Sequence, residues 1–270
     1  MTSTDTDRDP PPPIDGPSDL PEVQIVTAAD IADSLRLGLR DFLRAPAFGL
    51  FFAAVYVLGG LIMYAVFAAA GQEWWLMPVV VGFPLLAPFA AVGLYEVSRR
   101  IEAGQPLIWR EVLGVVFAQK DRQVPSMAMV ILLMFMFWVF MAHGIFALFL
   151  GTVSLVDITT SPRVLFEGSG PLMLAVGTLI GAGFAAVLFA ITVCGLPLVL
   201  DRNVDFISAI IRSFQAVTAN LGVMILWGLT IAVLMFLGMV PLFLGLLIVL
   251  PILGHASWHM YRRLLADEAE

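Results

Sequence analysis

The chain has 270 residues, of which 60% are hydrophobic and only 13% charged, with a formal net charge of −7 and a mean hydropathy of +0.95. An ordinary globular domain carries about 25% charged residues, so this composition excludes one and leaves an integral membrane protein. Cys194 is the only cysteine, which excludes an intrachain disulfide and a cysteine-rich metal site.

Much of the acid sits in the tails, at Asp5, Asp7, Asp9, Asp15, Asp19 and Glu22 and again at Asp267, Glu268 and Glu270. The basic residues are nearly all arginine and cluster beside the apolar runs. They form no stripe suited to nucleic acid. A run of roughly 20 apolar residues spans a bilayer as a helix, and backbone groups in lipid must find internal partners. Barrel strands would alternate in polarity over about ten residues, and these runs are continuously apolar.

Residues 1–26 are acidic and proline-rich and are expected to be a disordered tail. The acidic start without an apolar core does not read as a signal peptide. Ala28–Arg44 has helical periodicity. Ile31, Leu35, Leu39, Phe42 and Leu43 fall on one side, and Asp33, Arg36, Arg40 and Arg44 largely on another, so an interface-lying helix is expected. Spans follow at about 47–70, opened by Pro46, and at about 76–95. The turn Gly71–Glu73 separates them, with Trp74 and Trp75 at belt level. Pro84 and Pro88 are expected to kink the second span.

After a polar loop with a weakly amphipathic piece, Leu107–Phe117, come spans at about 126–150 and 172–200. The fourth carries Gly177-x-x-x-Gly181, a spacing that permits close helix packing. Asp201, Arg202 and Asn203 break the chain. The amphipathic segment Val204–Asn220 then precedes spans at about 221–239 and 241–258, and residues 266–270 form an acidic C-terminal tail. The expected fold is therefore all-α and polytopic: six transmembrane helices as three hairpins, each preceded by a cytoplasmic amphipathic segment, over residues 27–265. The arginine bias places both termini in the cytoplasm.

Three stretches carry a resemblance. They are Gly82–Phe89 running into Gly93–Arg100, then Leu196–Arg202, and finally Leu250–Arg262. Their order and spacing resemble the bacterial integral membrane family known as domain of unknown function 2189, from about Leu35 to Leu265. The resemblance implies a multi-pass inner-membrane protein. It brings no catalytic residues, although some members carry a loose label as cytochrome c oxidase subunits.

That label can be weighed on the histidines. His143 lies about 15 residues into an outward-running span, roughly 22 Å from the cytoplasmic boundary at 1.5 Å per residue. His255 and His259 lie near that boundary on another span, so a bis-histidine haem is not expected. His255 and His259 are spaced i, i+4 on one helix face, a metal-ligand spacing. Without a third strong ligand, the simpler expectation is hydrogen bonding to Asp201, Glu96 or backbone, and no metal or cofactor is assigned. No span holds Asp, Glu, Lys or Arg away from its ends, which argues against ion-coupled transport. No nucleophile–base pair stands out at matching depth, so an enzyme is not expected.

The topology instead gathers Tyr95, Glu96, Arg99, Arg100, Asp201, Arg202, His255, Trp258, His259, Tyr261 and Arg262 at the cytoplasmic face. This set is either a headgroup belt with local ion pairs or a polar cluster that ties the hairpins together or docks a partner. The expected partners are the lipid bilayer and a membrane protein or second copy. The leading function is a non-catalytic accessory, scaffold or assembly component. The alternative is a permease-like transporter of a small, weakly charged solute.

Overall fold

The computed structural model describes residues 20–70, 76–151, 166–241 and 243–266. The tail over 1–19, the turn with Trp74 and Trp75, the loop residues 152–165 and the tail 267–270 lie outside the described residues. Helix α1, Ala28–Arg44, begins where Asp30 caps the chain. Its carboxylate accepts from the Thr27 backbone N–H and hydroxyl, each at 2.8 Å. The chain then turns through 98° into α2, Pro46–Ala70. Pro46 sits in the first turn, where its missing N–H has no helical partner to lose. Helix α3, Leu76–Glu102, runs unbroken through Pro84 and Pro88. Helix α4 spans Trp109–Ala118 and α5 spans Val124–Leu150.

The expected fourth span is broken in two, as α6, Gly170–Thr192, and α7, Gly195–Asp201. Pro197 has no N–H to give the Val193 carbonyl, so the ladder fails there. A side chain from α8, Phe206–Ala219, repairs part of the gap. The Ser213 hydroxyl accepts from the Cys194 N–H at 3.1 Å and donates to the Ala190 carbonyl at 2.7 Å. It thus stands where the helical bond between those two groups would be. Ser213→Ala leaves both buried backbone groups unpaired. It is expected to lower stability by about 2 kcal/mol, measurable as a shift in the unfolding midpoint of the detergent-purified chain.

Helices α9, Leu221–Met239, and α10, Leu246–Leu264, complete the fold. A two-stranded clasp joins the ends of the described chain: β1, Glu22–Val23, pairs antiparallel with β2, Leu265–Ala266. The buried Asn220 amide fixes the strap after β1. Its oxygen accepts from Val26 N–H at 2.8 Å, and its nitrogen donates to the Gln24 carbonyl at 2.9 Å and the Ala216 carbonyl at 3.0 Å. Order therefore begins before Val26, where a disordered tail was expected. The polar Gln24 and Glu22 misled because main-chain pairing, which composition does not report, holds this segment.

Helix α2 packs on α3, α5 on α6 and α9 on α10. Among the described residues, three helical stretches are long and apolar enough to cross a membrane: Val124–Leu150, Gly170–Asp201 and Leu221–Met239. A fourth is reached if α1 and the start of α2 form one bent span. The centre of the molecule is α10, which α1, α2, α3 and α9 all touch. In its second half, expected at the cytoplasmic face as a headgroup belt or a polar cluster, His255, Ala256 and Met260 are fully buried, because α1 lies along that half and α3 runs beside it. The core gathers the second half of α3, the starts of α5 and α9, the α7–α8 pair and the end of α10, around Met127, Leu198, Trp227, Trp258 and Tyr261. Beyond it α5, α6 and α9 expose Phe137, Phe140, Leu148, Leu179, Leu229 and Phe236. Such a surface is stable against lipid chains and would aggregate in water.

Candidate functional site

The polar side chains converge on the buried second half of α10. Asp41 of α1 is fully buried, and one of its oxygens accepts twice: from Ser98 Oγ of α3 at 3.0 Å and from His259 Nε2 of α10 at 2.7 Å. Burial alone would raise the Asp41 pKa. The His259 and Ser98 hydrogen bonds outweigh it and hold the carboxyl below the usual range. Since the Ser98 proton is given to Asp41, the 2.8 Å contact between Ser98 Oγ and His255 Nδ1 assigns the His255 proton to Nδ1. One chain of hydrogen bonds therefore links α1, α3 and α10.

A second group surrounds Glu96, whose side chain is wholly buried. It accepts from Arg99 at 2.7 and 3.1 Å and from Arg100 at 2.6 Å, at the i+3 and i+4 positions of α3. Arg100 reaches on to Glu111 of α4 and to the Pro106 carbonyl. A carboxylate with no solvent contact is stable only when paired in this way. The third group is built on Glu102, which accepts from Trp258 Nε1 at 3.0 Å and Arg262 Nε at 3.2 Å. Arg262 is also 3.6 Å from Asp201, and Asp201 accepts from the Tyr261 hydroxyl at 2.8 Å. Last, Arg263 bridges Asp30 and Asp33 of α1. Asp30 is held low by the Thr27 hydrogen bonds first and Arg263 after them.

Of the residues singled out from sequence, Glu96, Arg99 and Arg100 share one group. Asp201, Trp258, Tyr261 and Arg262 share another, and His255 and His259 a third. Tyr95 packs its ring against Trp258, centroids 6.4 Å apart. Arg202 follows the end of α7, its N–H on the Leu198 carbonyl at 2.9 Å. The histidines take partners other than Asp201 and Glu96: they bond to Ser98 and Asp41. Neither partner was foreseen, nor were Glu102 and Glu111. His143 stays apart on an exposed part of α5, with Nδ1 2.7 Å from the Val139 carbonyl. Ser98 and His255 do form a hydroxyl–imidazole pair, where none was expected. The hydroxyl is fully buried and committed to Asp41, which is the geometry of a tether.

The glycines also sort differently. Gly181 lies under Trp138 of α5, with an added Cβ 2.8 Å from the ring, whereas a Cβ on Gly177 would meet nothing within 4 Å. Gly177 instead lines an apolar cavity of about 550 Å³ between α5 and α6, with Trp138, Ala142, Gly181 and Phe184. Other close helix contacts at glycine include Gly38 on the α10 backbone, Gly93 on Phe52 and Gly254 on Leu94. Pro88 is buried, and the Pro84 side chain lies outside the described set.

Apolar helices of spanning length, an outward apolar surface and polar side chains gathered inside the protein define a multi-pass helical integral membrane protein. Residues 76–201 match the family model of predicted integral membrane proteins designated DUF2189. The match runs from the start of α3 to the end of α7. It takes in the first two of the three resembling stretches, to Asp201, and leaves Leu250–Arg262 outside. No curated protein and no solved structure matches the chain.

Proposed function

We propose that the chain is a six-span protein of a bacterial inner membrane, with both termini cytoplasmic. It works there as a non-catalytic accessory, scaffold or assembly component. The six spans would be α2, α3, α5, the α6–α7 pair, α9 and α10, taken as three hairpins behind the segments α1, α4 and α8. The observation that carries the functional reading is how these side chains are used. Asp41 and Glu102 bond to α10, Ser98 joins Asp41 to His255, and Arg100 ties Glu96 of its own helix to Glu111 of α4, so the polar side chains mainly hold helices together. The cavity between α5 and α6 is lined by apolar side chains, glycines and Thr178. A path for a polar solute would need a polar lining, so the permease alternative gains no support from it.

The family label points the test at a respiratory complex. Affinity purification of the full chain from bacterial membranes in mild detergent, with mass spectrometry and a haem spectrum, is expected to bring oxidase subunits with it. A single clean band without haem absorbance would overturn the accessory role.

A further inference from the structure

The side of α1 turned away from α10 has its own pattern. Ile31, Ser34, Gly38, Asp41 and Phe42 are buried on the inner side. The outer positions are Ala32, Arg36, Leu39, Arg40, Leu43 and Arg44, all exposed. The side chains of Arg36 and Arg40 are 77% and 63% accessible, and Leu43 is 67% exposed. Leu39 and Leu43 thus share a face with the arginines, although their periodicity alone suggested the opposite side.

The acids of α1 neutralise this face only in part: Asp33 lies 3.2 Å from Arg36, and the Oδ1 of buried Asp41 lies 3.8 Å from Arg40 Nε. Asp41 is buried against Ser98 and His259, Asp30 is held by Thr27 and Arg263, and Asp33 is shared between Arg36 and Arg263. Arg44 has no ion pair among the described residues. Cations interleaved with leucines on one face suit the boundary between phosphates and acyl chains, where the leucines enter the apolar side and the guanidiniums meet phosphate oxygens. Two further features set the level of that boundary. Helix α1 turns 98° into apolar α2, and Trp109 stacks on Phe48 of the first turns of α2 with ring centroids 3.9 Å apart, an aromatic at interfacial depth.

We infer that the Arg36–Arg40–Arg44 face of α1 is a docking surface for anionic phospholipid headgroups. The test places the full chain in nanodiscs of phosphatidylcholine alone or with phosphatidylglycerol and compares thermal midpoints. Phosphatidylglycerol is expected to raise the midpoint by on the order of 5 °C, from the attraction of three surface arginines to an anionic leaflet. The triple variant Arg36→Gln, Arg40→Gln, Arg44→Gln loses that increment, and the triple lysine variant keeps most of it. Should the triple glutamine variant not fold in phosphatidylcholine, Arg36→Gln and Arg44→Gln singly are each expected to remove about a third. Equal midpoints in the two lipids, or an increment that survives the glutamine variants, overturn the inference. So does an equal rise on adding inorganic phosphate to phosphatidylcholine discs, which would mark a site for a free anion.

Discussion

Asp41→Ala is expected to lower the stability of the detergent-purified chain by about 3 kcal/mol, because it strips two buried donors at once. Ser98 Oγ and His259 Nε2 both point at the lost oxygen, and each unpaired buried group costs about 1–3 kcal/mol. Asp41→Asn keeps the shape and one acceptor and is expected to lose roughly half as much. The pH dependence has a definite sign. The Asp41 carboxyl is held below its ordinary range in the folded state, so its contribution is full above the unfolded value of about 3.9. It fades as pH falls through the folded value. Chemical unfolding of wild type and Asp41→Asn between pH 3 and 7 should show a constant gap down to about pH 4 that narrows in more acid solution. A gap that widens on acidification would mean that folded Asp41 is not the ionised acceptor.

Why Asp41 escaped a reading of the sequence is a matter of which stripe of α1 is buried. Periodicity sets the arginines at 36, 40 and 44 largely opposite the leucines at 39 and 43, as in a helix lying at the membrane interface. The packed stripe is Ile31, Ser34, Gly38, Asp41 and Phe42, three of the five small or polar. A helix that presses on another backbone needs small residues there, and a carboxylate can be buried among them when its partners arrive from elsewhere in the chain. The i+4 and i+7 spacing of Gly38 and Asp41 from Ser34 was the available signal. By contrast, Glu96 with Arg99 and Arg100 was legible, since its partners lie within one turn of its own helix. The same division runs through the rest of the fold. Helix positions follow from apolar runs and prolines, but the break before Pro197 differs from the continuous span expected over 172–200. The Ser213 hydroxyl that fills that break comes from another helix, as do Glu102 and Glu111. Contacts between distant segments leave no periodicity to read.

Gly38 is where the packing of α1 on α10 tolerates least. A Cβ at this position would lie 2.6 Å from both the Ala256 nitrogen and the Ile252 carbonyl oxygen, and 2.8 Å from the Ala256 Cβ. Two of those atoms are backbone within the middle of α10, so no rotamer change can make room. Gly38→Ala must therefore lift α1 away, and lifting it lengthens the Asp41–His259 and Arg263–Asp30 contacts together. The expected loss is about 3 kcal/mol or more, the upper range for overpacking of a core, and Gly38→Val should prevent accumulation of the folded chain. Gly177→Ala is the matched control. Its Cβ would enter open space in α6, and stability should stay within about 1 kcal/mol of wild type, the scale of the glycine-to-alanine helix preference. If Gly38→Ala and Gly177→Ala unfold at the same midpoint, α1 does not hold its place on α10 by backbone contact. If only Gly38→Ala falls, and Asp41→Asn costs little more in that background than its own side chain accounts for, the glycine and the carboxylate act as one joint between the two helices.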